Sequence, residues 1–352
     1  MPRATVKLSD SLIFSRLKFC RILMCLFVIS GECSLYAEAP KTLEEIILEK
    51  TAIIHQNPHA GISVKDIVDH YDPNDIFAQA MQLIQDPNAT VKEYGYQLLQ
   101  VAGRTYQNPT IRQTAVSVFI EEFTDPGQPG SCSEMLLEHF QKKDYNADAK
   151  KKLRQRLDEV LSNQSEGYYA RDIILLVGAA DMQTEMDRLQ WLIDQIHEPL
   201  QPFGAQTPRW HEEAFTALKA KARMGDQEAI QKCISLVDAV TDEDFKVITL
   251  LKHIAYIRQP QAVDYIKQYL YSDKKARDLG PNFPGAPYFY MAAHCLEKMI
   301  VGFPTHLEVS KFYQEKISTD PVFRKQWPLY VDYFGEHWRN WFEAQTSIEI
   351  IR

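Results

Sequence analysis

Residues 209–237, RWHEEAFTALKAKARMGDQEAIQKCISLV, and residues 242–270, DEDFKVITLLKHIAYIRQPQAVDYIKQYL, decide the fold. Sliding the first onto the second by a shift of 33 lays Ala214, Ala217, Leu218 and Ala222 on Val247, Leu250, Leu251 and Ala255. The same shift lays Ala229, Ile230, Cys233 and Val237 on Ala262, Val263, Ile266 and Leu270. Each stretch is two runs with apolar residues three and four apart, the spacing of an amphipathic helix, and each pair is split by a turn at Gly225-Asp226 or Gln259-Pro260. The repeating unit is therefore a pair of antiparallel helices.

Working outward, a shift of 44 carries Ala214, Ala217, Leu218, Ile230, Cys233, Leu236 and Val237 back to Ala170, Ile173, Ile174, Met186, Leu189, Leu192 and Ile193. The excess of 11 matches the loop EPLQPFGAQTP, residues 198–208. Downstream, Val247 corresponds to Ala292 at a shift of 45, and this excess fits DKKARDLGPNFPG, residues 273–285. A helix pair cannot bury both of its faces alone, so neighbouring pairs must stack, and the expected fold is all-α: a right-handed α-solenoid. The periodicity predicts helices over 42–56, 74–85, 88–103, 109–123, 133–142, 147–162, 167–179, 182–197, 209–223, 227–239, 242–257, 260–271, 286–301, 305–318 and 328–343, and no alternating strand. Asp72-Pro73, Asn108-Pro109 and Asp320-Pro321 place Pro in a first turn, where its missing N–H leaves nothing unsatisfied.

The 209–237 string resembles HEAT-like repeats of the phycobilisome-lyase-type subgroup, carried by Ala214, Leu218, Gly225, Asp226, Ala229 and Ile230. DPNATVKEYGYQLLQ, 86–100, is similar to the second helix of such a unit through Asp86, Val91, Lys92 and Leu98, with Gly95 where the family prefers Ala; NPTIRQTAVSVF, 108–119, repeats it with Ile111, Arg112 and Ala115. The resemblance implies an architecture rather than a reaction, since such frames serve scaffolds, adaptors and some lyases. The expected organisation is a signal peptide over 1–37, an N-terminal helical cap over 38–73, the solenoid over 74–318 and an aromatic-rich C-terminal helical cap over 319–352. In that last cap Trp327, Tyr330, Val331, Phe334, Trp338, Trp341 and Phe342 share one face, read as packing against the last repeat.

The leader carries Arg3, Lys7, Arg16, Lys18 and Arg21 ahead of the uncharged run 22–31, ILMCLFVISG. Charge followed by a short apolar run is the order of a secretory signal. Ten residues rise ~15 Å as a helix, about half the hydrocarbon thickness of a bilayer. Export to the periplasm or the exterior is therefore expected, with cleavage after Ala37 or Ala39; a membrane contact would come only through an uncleaved leader. The whole chain has 352 residues and net charge −8; without residues 1–37, 34 Lys/Arg remain against 45 Asp/Glu, a net charge of −11. Such a body has no basic surplus for phosphates, so a nucleic-acid partner is not expected.

Candidate chemistry is thin. Cys132, Cys233 and Cys295 remain outside the leader, an odd set with no Cys-x-x-Cys, so neither a disulfide framework nor a zinc site is predicted. Cys233 and Cys295 read as buried small hydrophobes, and Cys132, in a helix's first turn after DPGQPGS, has no base closer than His139. His55 and His59 are separated by Asn57-Pro58, while His294 with Glu297, and His211 ahead of Glu212 and Glu213, suit solvated or capping roles. The basic run Lys150, Lys151, Lys152, Arg154 and Arg156 encircles the stripe Leu153, Leu157 and Val160 and reads as a solvated face. No catalytic, metal or cofactor site is expected. Both inserts emerge along one rim of the stack, and in the second Lys274, Lys275, Arg277, Phe283 and Tyr288 supply charge and aromatic surface together, the expected contact for a protein partner. The expected function is an exported, non-catalytic scaffold or adaptor. The alternatives are an enzyme on a helical-repeat frame, lyase-like or cell-wall-acting, and a membrane-tethered structural subunit.

Overall fold

A computed structural model describes residues 41–56, 67, 70–105, 108–122, 133, 136–163, 168–197, 199–203, 208–277, 285–319 and 330–352. The chain divides into two units, residues 1–60 and 61–352. In the first, the described part is α1 (Leu43–Gln56), whose Thr42 hydroxyl accepts from Glu45 N while the Glu45 carboxylate accepts from Thr42 N, a reciprocal cap. The expected signal peptide lies outside the described residues, and no described helix is long and apolar enough to cross a membrane.

The second unit is helical throughout its described residues, with two isolated bridges and no strand. Its elements are α2 (Pro73–Leu83), α3 (Ala89–Thr105), α4 (Pro109–Glu122), a 3₁₀ turn (Lys142–Asp144), α5 (Ala147–Asn163), α6 (Tyr168–Ala179), a 3₁₀ turn (Gln183–Glu185) running into α7 (Met186–Asp194), α8 (Arg209–Arg223) and α9 (Gln227–Asp238). Then α10 runs through Glu243–Phe245, a π-helical turn (Lys246–Leu250) and Leu251–Ile257; α11 (Pro260–Leu270), α12 (Tyr288–Glu297), α13 (His306–Thr319) and α14 (Tyr330–Ala344) follow. Short polar side chains start these helices as the sequence requires: Asp72 accepts from Asn74 N at 2.8 Å, Asn108 from Thr110 N at 2.9 Å and Asp226 from Ala229 N at 3.0 Å.

All sixteen positions paired by the shift of 33 are buried. The turns between paired helices repeat as well. Asp181 (φ 53°), Gly225 (φ 99°) and Arg258 (φ 50°) are left-handed, and the same shifts of 44 and 33 superpose them. Behind the first two, Met182 N donates to Val177 O and Asp226 N to Lys221 O, both at 3.2 Å, the six-residue closure that ends a helix. First helices of successive pairs touch in order, α6 on α8, α8 on α10 and α10 on α12, and α9 lies on α11.

Close approach of α6 and α8 depends on Gly178. A Cβ there would lie 2.7 Å from Ala220 Cα and 2.6 Å from the Tyr256 hydroxyl. Gly178→Ala is expected to gain ~1 kcal/mol in helix propensity and to lose more in overpacking against backbone that cannot yield, a net loss of about 2 kcal/mol readable by urea unfolding.

Several expectations need correction. The segment expected as one helix over 182–197 is a 3₁₀ turn joined to a nine-residue helix, because Asp181 takes the left-handed turn and the chain re-enters through Glu185. The helix expected over 286–301 occupies 288–297, opened by Pro287 and followed by a turn with Gly302 at φ 73°. Of the helix expected over 133–142, Ser133 and Leu136 to His139 are helical among the described residues, and Lys142–Asp144 form a separate 3₁₀ turn. The aromatic face of α14 packs as expected: Phe334, Trp338 and Phe342 are buried, and Trp338 Nε1 donates to Pro304 O at 2.9 Å. Trp327 and the side chains of Tyr330 and Val331 lie outside the described residues.

Bonds also join residues far apart in the chain. Arg258 Nη2 donates to Leu137 O at 3.1 Å, Lys298 pairs with Glu138, and Lys142 N donates to Arg352 O at 3.2 Å. The tail reaches Lys142 after bonding alongside α12's exit, Val301 N to Glu349 O at 2.9 Å and Ile351 N to Met299 O at 2.8 Å.

Candidate functional site

Among the described residues of the second unit, two places combine polar groups with open space. The first includes the insert residues expected to meet a partner. The base of the second insert is closed by a short antiparallel bridge, Ala276 N to Ala286 O and Tyr288 N to Lys274 O, both at 3.0 Å. Beyond it Arg277 turns back onto the start of α10. Its Nη2 is 2.6 Å from Asp242 Oδ2, its Nε 3.2 Å from Asp244 Oδ2, and its N–H donates to that same Asp244 oxygen at 3.1 Å. The Tyr288 hydroxyl donates to the other Asp244 oxygen at 2.6 Å. Asp242 is held below the usual carboxylate range first by the N–H of Phe245, which it caps, and then by Arg277; Asp244 is held low first by the Tyr288 hydroxyl.

Of the five expected contact residues, Arg277 and Tyr288 thus converge on one carboxylate, Lys274 and Lys275 are exposed, and Phe283 lies outside the described residues. Tyr288 is buried, so its ring anchors the insert instead of presenting aromatic surface. The apolar surface beside Arg277 comes from a different element. Phe245 and Ile248, 40% and 41% exposed, line with Thr249, Asp242, Asp244 and Arg277 a groove of about 290 Å³. The π turn lies under it: Leu251 N bonds Lys246 O, and Lys246 is turned inward, 3.1 Å from Glu243. One extra residue in a turn re-aims the side chains around it.

The second place is a buried cationic seam that sequence reasoning missed. α8 carries Lys219 and Arg223 one turn apart, and α10 faces them with His253 and Tyr256 and is capped by Arg258. Lys219 Nζ lies 3.3 Å from His253 Nδ1 and 5.2 Å from the centre of the Phe215 ring. Arg223 stacks on Tyr256 at 4.8 Å and donates from Nη1 to Tyr256 O at 3.1 Å, while the Tyr256 hydroxyl donates to Leu175 O. Burial dominates every shift here. It pulls Lys219 down to about 8, pushes His253 well below the usual imidazole range with help from Lys219 and Lys252, and disfavours the charged forms of Arg223 and Arg258. Beside the seam, Lys142, Asp181, Arg223 and Arg258 line a cavity of about 110 Å³. The available signal was the alanine content of α8: with Ala214, Ala217, Ala220 and Ala222 around the helix, packed against α6, α7, α9 and α10, its polar residues have few solvent-facing directions.

The remaining candidates among the described residues fall where their bland readings put them, with one exception. Cys233 and Cys295 are buried and burial pushes both thiols up to about 12. In α5, Lys152, Arg154 and Arg156 pair with Glu121, Glu185 and Glu159, and Leu153, Leu157 and Val160 are buried. His294 is 3.9 Å from Glu297 on its own helix. His211 is the exception: it is buried, not solvated, and its Nδ1 accepts from Gln201 N at 3.0 Å, pinning the first insert. Cys132 and His59 lie outside the described residues, among which no group of three or more metal-ligating side chains occurs. Compared with known protein families, curated proteins and solved structures, the chain matches none.

Proposed function

We propose that this chain is an exported, non-catalytic scaffold, a HEAT-like α-solenoid that holds a protein partner along its insert-bearing edge. The observation carrying the repeat reading is the recurrence of the left-handed turn at Asp181, Gly225 and Arg258, the last two in the register that also buries the sixteen matched positions. Ordered contacts between successive first helices suit a stack. Bonds from Arg258 and Lys298 back to residues 137–138 favour a tight coil over an extended rod.

The binding edge is the groove at the start of α10. Phe245 and Ile248 form its apolar floor, and Arg277, anchored through Asp242 and Asp244, fixes its wall. A body of −11 favours an apolar segment flanked by basic residues. Covering the exposed two-fifths of Phe245 and Ile248 is worth about 0.6–1.2 kcal/mol each. In affinity capture from the native source, Phe245→Ser/Ile248→Ser is therefore expected to retain about a tenth or less of the wild-type partner at unchanged helicity. Deleting 275–284, which removes the Arg277 wall, should weaken capture likewise. Equal capture by wild type and both variants would overturn the proposal.

A further inference from the structure

We propose that the cavity at the C-terminal ends of α6, α8 and α10 binds a small phosphate-type oxyanion, with the Arg223 and Arg258 guanidiniums as its main ligands. Both residues line this cavity, and both are more than nine-tenths buried, at 8% and 4% exposure. Among the described residues no carboxylate lies within ion-pair distance of either. A guanidinium carries five N–H donors and keeps its charge in proteins. Main-chain oxygens satisfy part of each fork: Tyr256 O takes Arg223 Nη1, and Leu137 O and Glu138 O take Arg258 Nη2. Arg223 Nη2 and Arg258 Nη1 have no acceptor. Arg112, by contrast, is matched by both oxygens of Asp144. Two uncompensated arginines on one cavity are costly when it is empty and complementary to an anion when it is filled.

Size and charge narrow the ligand. At ~30 Å³ for each water of the liquid, about 110 Å³ corresponds to three or four waters, room for one tetrahedral oxyanion. Asp181, the carboxylate on the wall, is already bonded by Lys142 Nζ at 2.9 Å and Gln183 Nε2 at 2.7 Å. Arg352, also on the wall, gives its main-chain oxygen to Lys142 N. Guanidiniums meet phosphate with paired, planar hydrogen bonds, which favours a doubly charged oxyanion over chloride.

The backbone at Arg258 also decides which variant to use. Arg258 is left-handed at φ 50°, where the preceding repeat has Gly225. An L side chain in that region crowds its Cβ against the following carbonyl, a cost glycine avoids.

The same substitution makes a clean test, because Arg258→Gly fits the backbone already present. Thermal unfolding and isothermal titration of the full chain would use sodium phosphate and sodium sulfate, with sodium chloride at matched ionic strength and sodium acetate as reference arms. Wild type is expected to gain about 5 °C in Tm at phosphate a hundredfold above its Kd, with sulfate similar and chloride and acetate without effect. Arg258→Gly and Arg223→Met should each weaken phosphate binding about tenfold or more while remaining folded. A wild-type response no greater than that in chloride, or undiminished in both variants, would overturn the site; equal stabilisation by acetate would overturn the ligand class.

Discussion

Asp144→Ala is expected to destabilise the second unit by about 3–5 kcal/mol. Asp144 sits in the 3₁₀ turn between the 136–139 helix and α5, and both its oxygens hold Arg112, Oδ1 to Nε at 2.9 Å and Oδ2 to Nη2 at 2.7 Å. The pair is almost wholly buried, at 5% and 2% side-chain exposure. Arg112 also reaches Gly103 O and His139 O, each at 2.7 Å, and stacks on Phe140 at 4.9 Å, so one guanidinium ties α3, α4 and the 136–140 segment together. Asp144 further accepts from Gln141 N at 2.8 Å, which sets the turn. Removing it strands a cation whose two remaining acceptors are neutral. Arg112→Met/Asp144→Leu, which removes both charges, should recover most of the loss. Urea unfolding checks both expectations, and a loss below about 1 kcal/mol for Asp144→Ala would mean that the carbonyls alone satisfy the arginine.

Lys219→Met is expected to act in the opposite direction, stabilising the unit by about 2–3 kcal/mol at pH 7. Burial holds Lys219 at about 8 against an ordinary 10.5, and each unit of pKa is ~1.4 kcal/mol. Around its ammonium lie His253 and Lys252 of α10, the Cys233 thiol of α9, and Arg171 and Asp172 of α6. Met keeps the length and removes the charge, at the cost of one hydrogen bond to His253 worth ~1 kcal/mol. In the unfolded chain Lys219 holds its proton up to about 10.5. Between pH 8 and 10.5 the unfolded state therefore binds more protons, so wild-type stability rises with pH across that window and the penalty is fully present below it. The variant should lack this rise. His253 follows the same sign at lower pH, its stabilising neutrality being lost as pH falls below about 6.5. A wild type with flat stability from pH 8 to 10 would contradict the uncompensated burial of Lys219.

How far the sequence could be read depended on whether local signals decide. α8 is observed over 209–223 as its pattern predicts, because an unbroken Ala/Leu run ends at Gly225, which adopts the left-handed turn without cost. The matched core positions and the burial of Cys233 and Cys295 were legible for the same reason, since apolar spacing dictates facing. Lys219, Arg223 and Arg258 were not. Lysine and arginine letters read as solvent-facing unless the helix is surrounded on every side, and that depends on neighbours distant in the chain. Tyr288 misled likewise: its position after an insert suggested surface, while its burial depends on Asp244 across a 44-residue separation. The π turn has no signature in DFKVITLL, since an extra residue in a turn leaves the apolar letters in place.

The contacts that return to residues 137–142 also put a clock on assembly. Leu137 O waits for Arg258, 121 residues later, and Lys142 N waits longer still, for Arg352. At ~5–20 residues per second of synthesis, those acceptors and donors spend about 6–24 s and 10–40 s facing water or a chaperone before their partners exist. The middle of the chain is therefore made early and finished last, and a ribosome stalled before residue 258 leaves it without the bonds that close it.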